Sequence, residues 1–78
     1  LALVAEAISD GGVLCGLNRE MSYEFTKGLF KSYASLDDKP ANIKDSVMSP
    51  AGTTASGYET LENNKTRYAF IEAIKKAY

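Results

Sequence analysis

Histidine is absent from this 78-residue chain and cysteine occurs only once, as Cys15. The chain therefore offers neither the usual zinc ligands nor a disulfide, and we expect no metal site. No basic block stands out against a formal charge of −1, which argues against a nucleic-acid partner. The first eight residues are apolar but include Glu6 and lack a basic flank. They resemble neither a signal peptide nor a membrane span, so no membrane association is expected.

The length of the chain limits how stable it can be by itself. A sequence of 78 residues with 45% apolar residues is one small domain or a piece of a larger one. Small domains are usually reinforced by disulfides, metals or oligomerisation, and only the last of these, or packing on further sequence, fits this composition. The chain also begins inside an apolar run, at Leu1, without a capping residue. We therefore expect a first helix that has been cut short.

Alternation with a period of two, the pattern of a half-buried strand, is missing from the whole chain. Apolar residues recur instead at helical spacing, which predicts an all-α domain with about five helices. The predicted helices run from the start to near Gly16, from Asn18 to near Leu36, from Pro40 through Val47, from Thr54 to Glu62, and from Lys65 or Thr66 to the end.

Two features of the first predicted helix suggest how it packs. Gly11 and Gly12 lie near its end, where glycine costs helix stability unless another helix approaches the backbone closely. Cys15 lies on the apolar side of the same helix with no base nearby in sequence. We expect it to be a small buried side chain rather than a nucleophile.

Large apolar side chains form stripes on the second and last predicted helices. Together these side chains form more apolar surface than five short helices can easily bury. We therefore expect a second copy related by two-fold symmetry to cover them. The stripes consist of Met21, Phe25, Leu29, Phe30 and Tyr33 on one helix and Phe70, Ile71 and Ile74 on the other.

The segment from Ser49 to Thr54 could hold an anion. Gly52 has no side chain to block a ligand, and Thr53 and Thr54 place hydroxyls where the free amides of the next helix point outward. A carboxylate or phosphate would fit such a position. The alternative is that Thr53 is simply an N-cap, that Ser49 and Pro50 form a turn, and that nothing binds.

Three stretches of the sequence resemble one family, pyrroline-5-carboxylate reductase. "DSVMSPAGTTASGYETLE" is similar to its C-terminal signature, which typically reads Ser-Pro-Gly-Gly-Thr-Thr and continues to a leucine-glutamate pair. "EAISDGGVLCGLNRE" and "FIEAIKKAY" are similar to two further segments of the family, in the same order. The sequence departs from the pattern at Met48, Ala51, Tyr58 and Asn63-Asn64, and Met48 lies beside the signature.

The resemblance implies a fold and a reaction. The fold is an all-α domain of the 6-phosphogluconate-dehydrogenase C-terminal-like kind, which intertwines with a second copy, and higher assemblies of such dimers occur. Residues 1–78 would be the C-terminal dimerisation and substrate-binding domain of a cytoplasmic oxidoreductase of proline biosynthesis. That enzyme reduces 1-pyrroline-5-carboxylate to L-proline with NADPH or NADH. The cofactor is bound mainly by an N-terminal Rossmann domain that these residues lack, so this chain alone is expected to be inactive.

The resemblance also implies roles for individual residues. The substrate carboxylate would bind at Ser49, Gly52, Thr53 and Thr54. The hydroxyl of Thr54 would lie nearest the imine nitrogen and would be the catalytic hydrogen-bond donor. No residue of this chain is expected to bind the cofactor. Two alternatives stay open: a non-catalytic helical dimerisation or interaction module, and a reductase of another cyclic imine, which Met48 makes conceivable.

Overall fold

A computed structural model of the chain describes residues 1–48 and 52–78 and contains five helices in these ranges. No strand occurs in these two ranges, so the prediction of an all-α chain with five helices is confirmed. By contacts the chain divides into two compact units, Leu1–Asp37 and Asp38–Tyr78. The helices are α1 (Ala2–Leu14), α2 (Arg19–Ala34), α3 (Pro40–Val47), α4 (Thr53–Asn63) and α5 (Thr66–Ala77).

Local signals set several of these helix ends. The side chain of Asn18 accepts a hydrogen bond of 2.8 Å from the amide of Met21, so it caps α2 as predicted. Pro40 occupies the first turn of α3, where its missing amide costs nothing. Beyond the end of α1, Gly16 has a φ of 113°, a conformation that other residues rarely adopt.

A close contact between α1 and α2 organises the first unit. The Ser22 hydroxyl donates a 2.6 Å hydrogen bond to the carbonyl of Ser9, and both residues are buried. A Cβ at Gly12 would clash with Ser22 Oγ and would lie 3.4 Å from Leu17 Cδ1. The predicted close approach therefore holds at Gly12. It is wrong for Gly11, because no described residue of another helix in the chain lies within 4 Å of the space that its Cβ would fill.

Arg19 joins the start of α2 to α1. Its Nη1 atom donates hydrogen bonds to Ser9 Oγ at 3.0 Å and to Asp10 Oδ1 at 2.8 Å. The guanidinium also lies 5.6 Å from the ring centre of Tyr23, within range of a cation–π interaction. Because Arg19 and Asp10 are largely exposed, this pair orients the helices more than it stabilises them.

Large apolar side chains are not buried anywhere in the described ranges. Phe25 on α2 is 60% exposed, and Phe70 and Ile74 on α5 are 50% and 69% exposed. The surplus of apolar surface expected from the sequence is therefore present in the chain by itself. Cys15 is also exposed, so the prediction that it is buried is wrong. It follows the last residue of α1 and is the C-cap of that helix, at the turn.

The turn between α4 and α5 carries a strained residue. Lys65 has φ 59° and ψ 32°, the left-handed conformation, and it is the only described residue other than glycine with a positive φ. An L-residue in this region costs about 1 kcal/mol or more, whereas glycine adopts it freely. Among the described residues this backbone strain is confined to Lys65, so a substitution of Lys65 can test it.

Replacement of Lys65 by glycine should stabilise the chain. We expect Lys65→Gly to raise the free energy of unfolding by about 0.5–1 kcal/mol, measured by urea unfolding at one fixed protein concentration. The matched control is Lys76→Gly in the last turn of α5, which should lower it by up to about 1 kcal/mol. A lower unfolding midpoint for Lys65→Gly would contradict the strain argument.

Candidate functional site

The start of α4 is the candidate site that the sequence indicates. Gly52 is the N-cap residue, with φ −80° and ψ 165°, and Thr53 is the first helical residue. The alternative in which Thr53 itself caps the helix is therefore wrong. Thr53 and Thr54 are both exposed. The predicted contribution of Ser49 lies outside the described residues.

The backbone of this turn suits an anion. The first intrahelical bond runs from the amide of Ser56 to the carbonyl of Gly52, at 3.1 Å. The amides of Thr53, Thr54 and Ala55 precede it and have no acceptor within the helix. No side chain among the described residues caps α4, and its first turn contains no acidic residue. Free amides together with the helix dipole favour a carboxylate here.

The backbone conformation at residue 52 does not require glycine. Its φ of −80° lies in the extended region that every residue type adopts. Conformational freedom is therefore not the reason for a glycine at this position, which leaves the absence of a side chain, as expected from the sequence, as its contribution to the candidate site.

Thr54 borders a shallow groove along α4, which it shares with Gly57, Tyr58 and Leu61. Sequence reasoning placed Thr54 at the site but missed this neighbourhood. The signal was present in the spacing, because residues 54 and 58 are one turn apart and share a helix face. The groove extends the candidate site from the helix start along the side of α4.

A larger cavity lies between α3, α4 and α5. It has a volume of about 350 Å³ and is lined mainly by apolar atoms. Met48 and Tyr58, two positions where the sequence departs from the family pattern, both line it. The other lining residues are Lys44, Ala55, Glu59, Leu61, Glu62, Thr66, Arg67 and Phe70.

Charged groups at the edge of this cavity are of both signs. Arg67 Nη2 lies 2.9 Å from Glu62 Oε2, and this hydrogen bond is the main reason that the pKa of Glu62 is lowered and that of Arg67 raised. Lys44 Nζ lies 3.4 Å from Asp45 Oδ1. With Glu59 also present, the cavity does not favour a ligand of one charge.

Metal clusters and membrane spans are both missing from the described part of the chain. Residues 1–48 and 52–78 contain no cluster of three or more cysteine, aspartate or glutamate side chains placed to hold a metal ion. None of the helices that the structure describes combines the length and the hydropathy needed to cross a membrane.

The open apolar faces and the all-helical fold of the described residues define a small α-helical dimerisation domain. Its candidate ligand site is the start of α4, which no described side chain caps. The family model "Pyrroline-5-carboxylate reductase dimerisation" matches residues 1–78, the whole chain. The chain belongs to this family.

Known relatives agree with this assignment. The chain is 42% identical to the pyrroline-5-carboxylate reductase of Synechocystis sp., with all of the chain and 31% of the relative covered. It is 39% identical to the reductase of Thermus thermophilus, with 99% of the chain and 30% of the relative covered. The crystal structure of the Plasmodium falciparum pyrroline carboxylate reductase with NADP bound matches with a TM-score of 0.83 and 34% identity. That match covers 97% of this chain and 32% of the other. The chain thus spans about a third of the length of these relatives.

Proposed function

We propose that this chain is the dimerisation and substrate-binding part of a reductase that converts 1-pyrroline-5-carboxylate to L-proline with NADPH or NADH. The observation that carries the proposal is the start of α4. There, free amides and two exposed threonine hydroxyls coincide with the sequence segment that resembles the family signature. The substrate has one carboxylate and one imine nitrogen, and this turn offers donors for both.

The roles are those that the family resemblance implies, and the chemistry of the turn supports them for the described residues. The substrate carboxylate binds the amides that follow Gly52, with the hydroxyl of Thr53 beside it. The resemblance adds Ser49, which lies outside the described residues. The hydroxyl of Thr54 donates a hydrogen bond to the substrate nitrogen as the C=N bond becomes a single bond and the nitrogen becomes an amine. A neutral donor in a fixed position is sufficient for this role, because orientation rather than a protein nucleophile limits such a reduction.

The described residues of this chain do not fit the usual way of holding a nicotinamide cofactor. A dinucleotide diphosphate is usually held by a glycine-rich turn between a strand and a helix. The described residues form only helices and their connections, and they offer no such turn. We therefore assign cofactor binding to a part of the enzyme beyond these 78 residues.

Dimerisation is the second part of the proposal. Two copies related by a two-fold axis would cover the exposed apolar faces of α2 and α5, in an intertwined dimer. The exposure of Phe25, Phe70 and Ile74 supports this arrangement, since side chains of this size are seldom left open together in a stable monomer.

Gly52→Ala tests where the carboxylate binds. Alanine adopts the backbone conformation of Gly52, so the fold should persist, but the added methyl group would crowd the amides. In the full-length protein we expect KM for pyrroline-5-carboxylate to rise about tenfold with a smaller change in kcat, followed by NADPH oxidation. The matched control is Gly11→Ala, whose added Cβ has nothing within 4 Å and should leave KM unchanged. Unchanged kinetics for Gly52→Ala would remove the carboxylate from this turn, and an inactive, cofactor-binding wild type would refute the reaction.

A further inference from the structure

Tyr58 differs from the other tyrosines of the chain in its surroundings. It is half-buried, whereas the four others are exposed, among them Tyr23 and Tyr68 at 53% and 61%. It lines the shallow groove beside Thr54 and also the cavity of about 350 Å³ between α3, α4 and α5. Together with Leu61, the tyrosine borders both the candidate site and a cavity large enough for additional substrate atoms.

The geometry of α4 explains this position. Residues 54 and 58 are four apart, so they lie about 40° from each other around the helix axis. Three residues line the cavity but not the groove, and around the helix axis they lie beyond Tyr58 on the side away from Thr54: Ala55, Glu59 and Glu62. Tyr58 is thus at the boundary between the face of Thr54 and the face of the cavity.

The Tyr58 side chain is long and tilts toward the N-terminus of α4, which brings it close to the candidate site. Side chains on a helix point back toward its N-terminus and cover the preceding turn. For residue 58 the preceding turn is the one that contains Thr54 and Ala55. Tyr58 and Thr54 line the same shallow groove, so the rigid phenol ring borders the space beside the Thr54 side chain. On the cavity side the flexible thioether of Met48 is the neighbouring wall, and it can give way more easily.

We propose that Tyr58 is a specificity-determining residue of the reductase. Its ring closes the substrate pocket on the side of the cavity and so restricts the substrate to a five-membered imine carboxylate. The inference rests on the proposed function, because it places the imine at Thr54. A larger ring, such as the six-membered homologue 1-piperideine-6-carboxylate, needs the space that the phenol ring occupies.

The test is a ratio of specificity constants measured with the full-length protein. For each variant, kcat/KM for 1-piperideine-6-carboxylate is divided by kcat/KM for 1-pyrroline-5-carboxylate. Tyr58→Leu should raise this ratio about tenfold or more, since the fit of one methylene group is typically worth that much. Tyr58→Phe keeps the ring and should stay within about threefold of the wild type. Tyr68→Leu is the matched control, because Tyr68 lines neither the groove nor the cavity.

The outcomes separate this inference from the proposed function. A folded Tyr58→Leu with an unchanged ratio overturns the role of Tyr58, and so does a wild type that already reduces both rings equally well. A wild type that is inactive on both imines overturns the proposed function and the inference together. If Tyr58→Leu does not fold, Tyr58→Met serves in its place, because it removes the ring but retains more of the packing.

Discussion

Replacement of Thr54 by alanine is expected to lower kcat of the full-length reductase by about 100-fold, the usual cost of removing a neutral donor at a reacting centre. KM should stay within about threefold, because the amides that hold the carboxylate are untouched. Thr54 is exposed and is the second residue of α4 rather than its N-cap, so the fold should lose little stability. The measurement is NADPH oxidation with 1-pyrroline-5-carboxylate, alongside a thermal unfolding curve.

Two companion variants separate the hydroxyl from its surroundings. Thr54→Ser keeps the hydroxyl and should recover much of the lost rate. Thr53→Ala, one residue earlier, removes a hydroxyl next to the carboxylate and should affect KM more than kcat. Wild-type activity in Thr54→Ala would reduce both threonines to ordinary helix-start residues. The family assignment would stand in that case, since it rests on the whole chain.

Local signals made the helices predictable from the sequence. Asn18 and Pro40 act at the ends of α2 and α3 as their chemistry requires. These signals depend on neighbours within one turn, so no knowledge of the fold is needed to interpret them. The same holds for the free amides at the start of α4, which any helix presents.

Packing within the single chain was less predictable, because the apolar pattern does not show which residues this chain buries by itself. Apolar periodicity identifies the face that a helix buries, but not the chain that covers it. Among the residues that the structure describes, the large apolar side chains stay open and the buried residues are Ser9, Ser22 and Thr26. Small hydroxyl residues permit close approach of α1 and α2, and they satisfy their own polar groups: the hydroxyls of Ser22 and Thr26 donate to backbone carbonyls. A helix–helix contact made by small hydroxyl residues produces no apolar pattern, so the sequence did not predict it.

The candidate site was predictable only in part. Its backbone donors follow from a helix start, and its residues follow from the resemblance. The contribution of Tyr58 depends on where α3 and α5 place Met48 and Phe70 around it, which is a property of the fold. The cap assignment also needed the structure, since Gly52 and Thr53 are both acceptable N-cap residues.

Replacement of Phe25 by aspartate is expected to weaken dimerisation by about a thousandfold or more in dissociation constant. Phe25 is 60% exposed in the single chain, so a charge there should cost the monomer little. In a dimer that covers α2, the same carboxylate would lose its water without a partner, at a cost of several kcal/mol. Sedimentation velocity over a range of protein concentrations would measure the shift.

The matched control is Lys27→Asp. Lys27 follows Phe25 by two residues and lies on the opposite side of α2 from the row that contains Phe25 and Leu29. The control substitution changes the charge by more than Phe25→Asp does, so repulsion alone should weaken the dimer at least as much there. We expect Lys27→Asp to remain dimeric and Phe25→Asp to dissociate, which would assign the effect to burial of the α2 row. Equal weakening in both variants would indicate long-range charge repulsion instead. A wild type that sediments as a folded monomer would refute the dimer itself, and the apolar faces of α2 and α5 would then need another occupant.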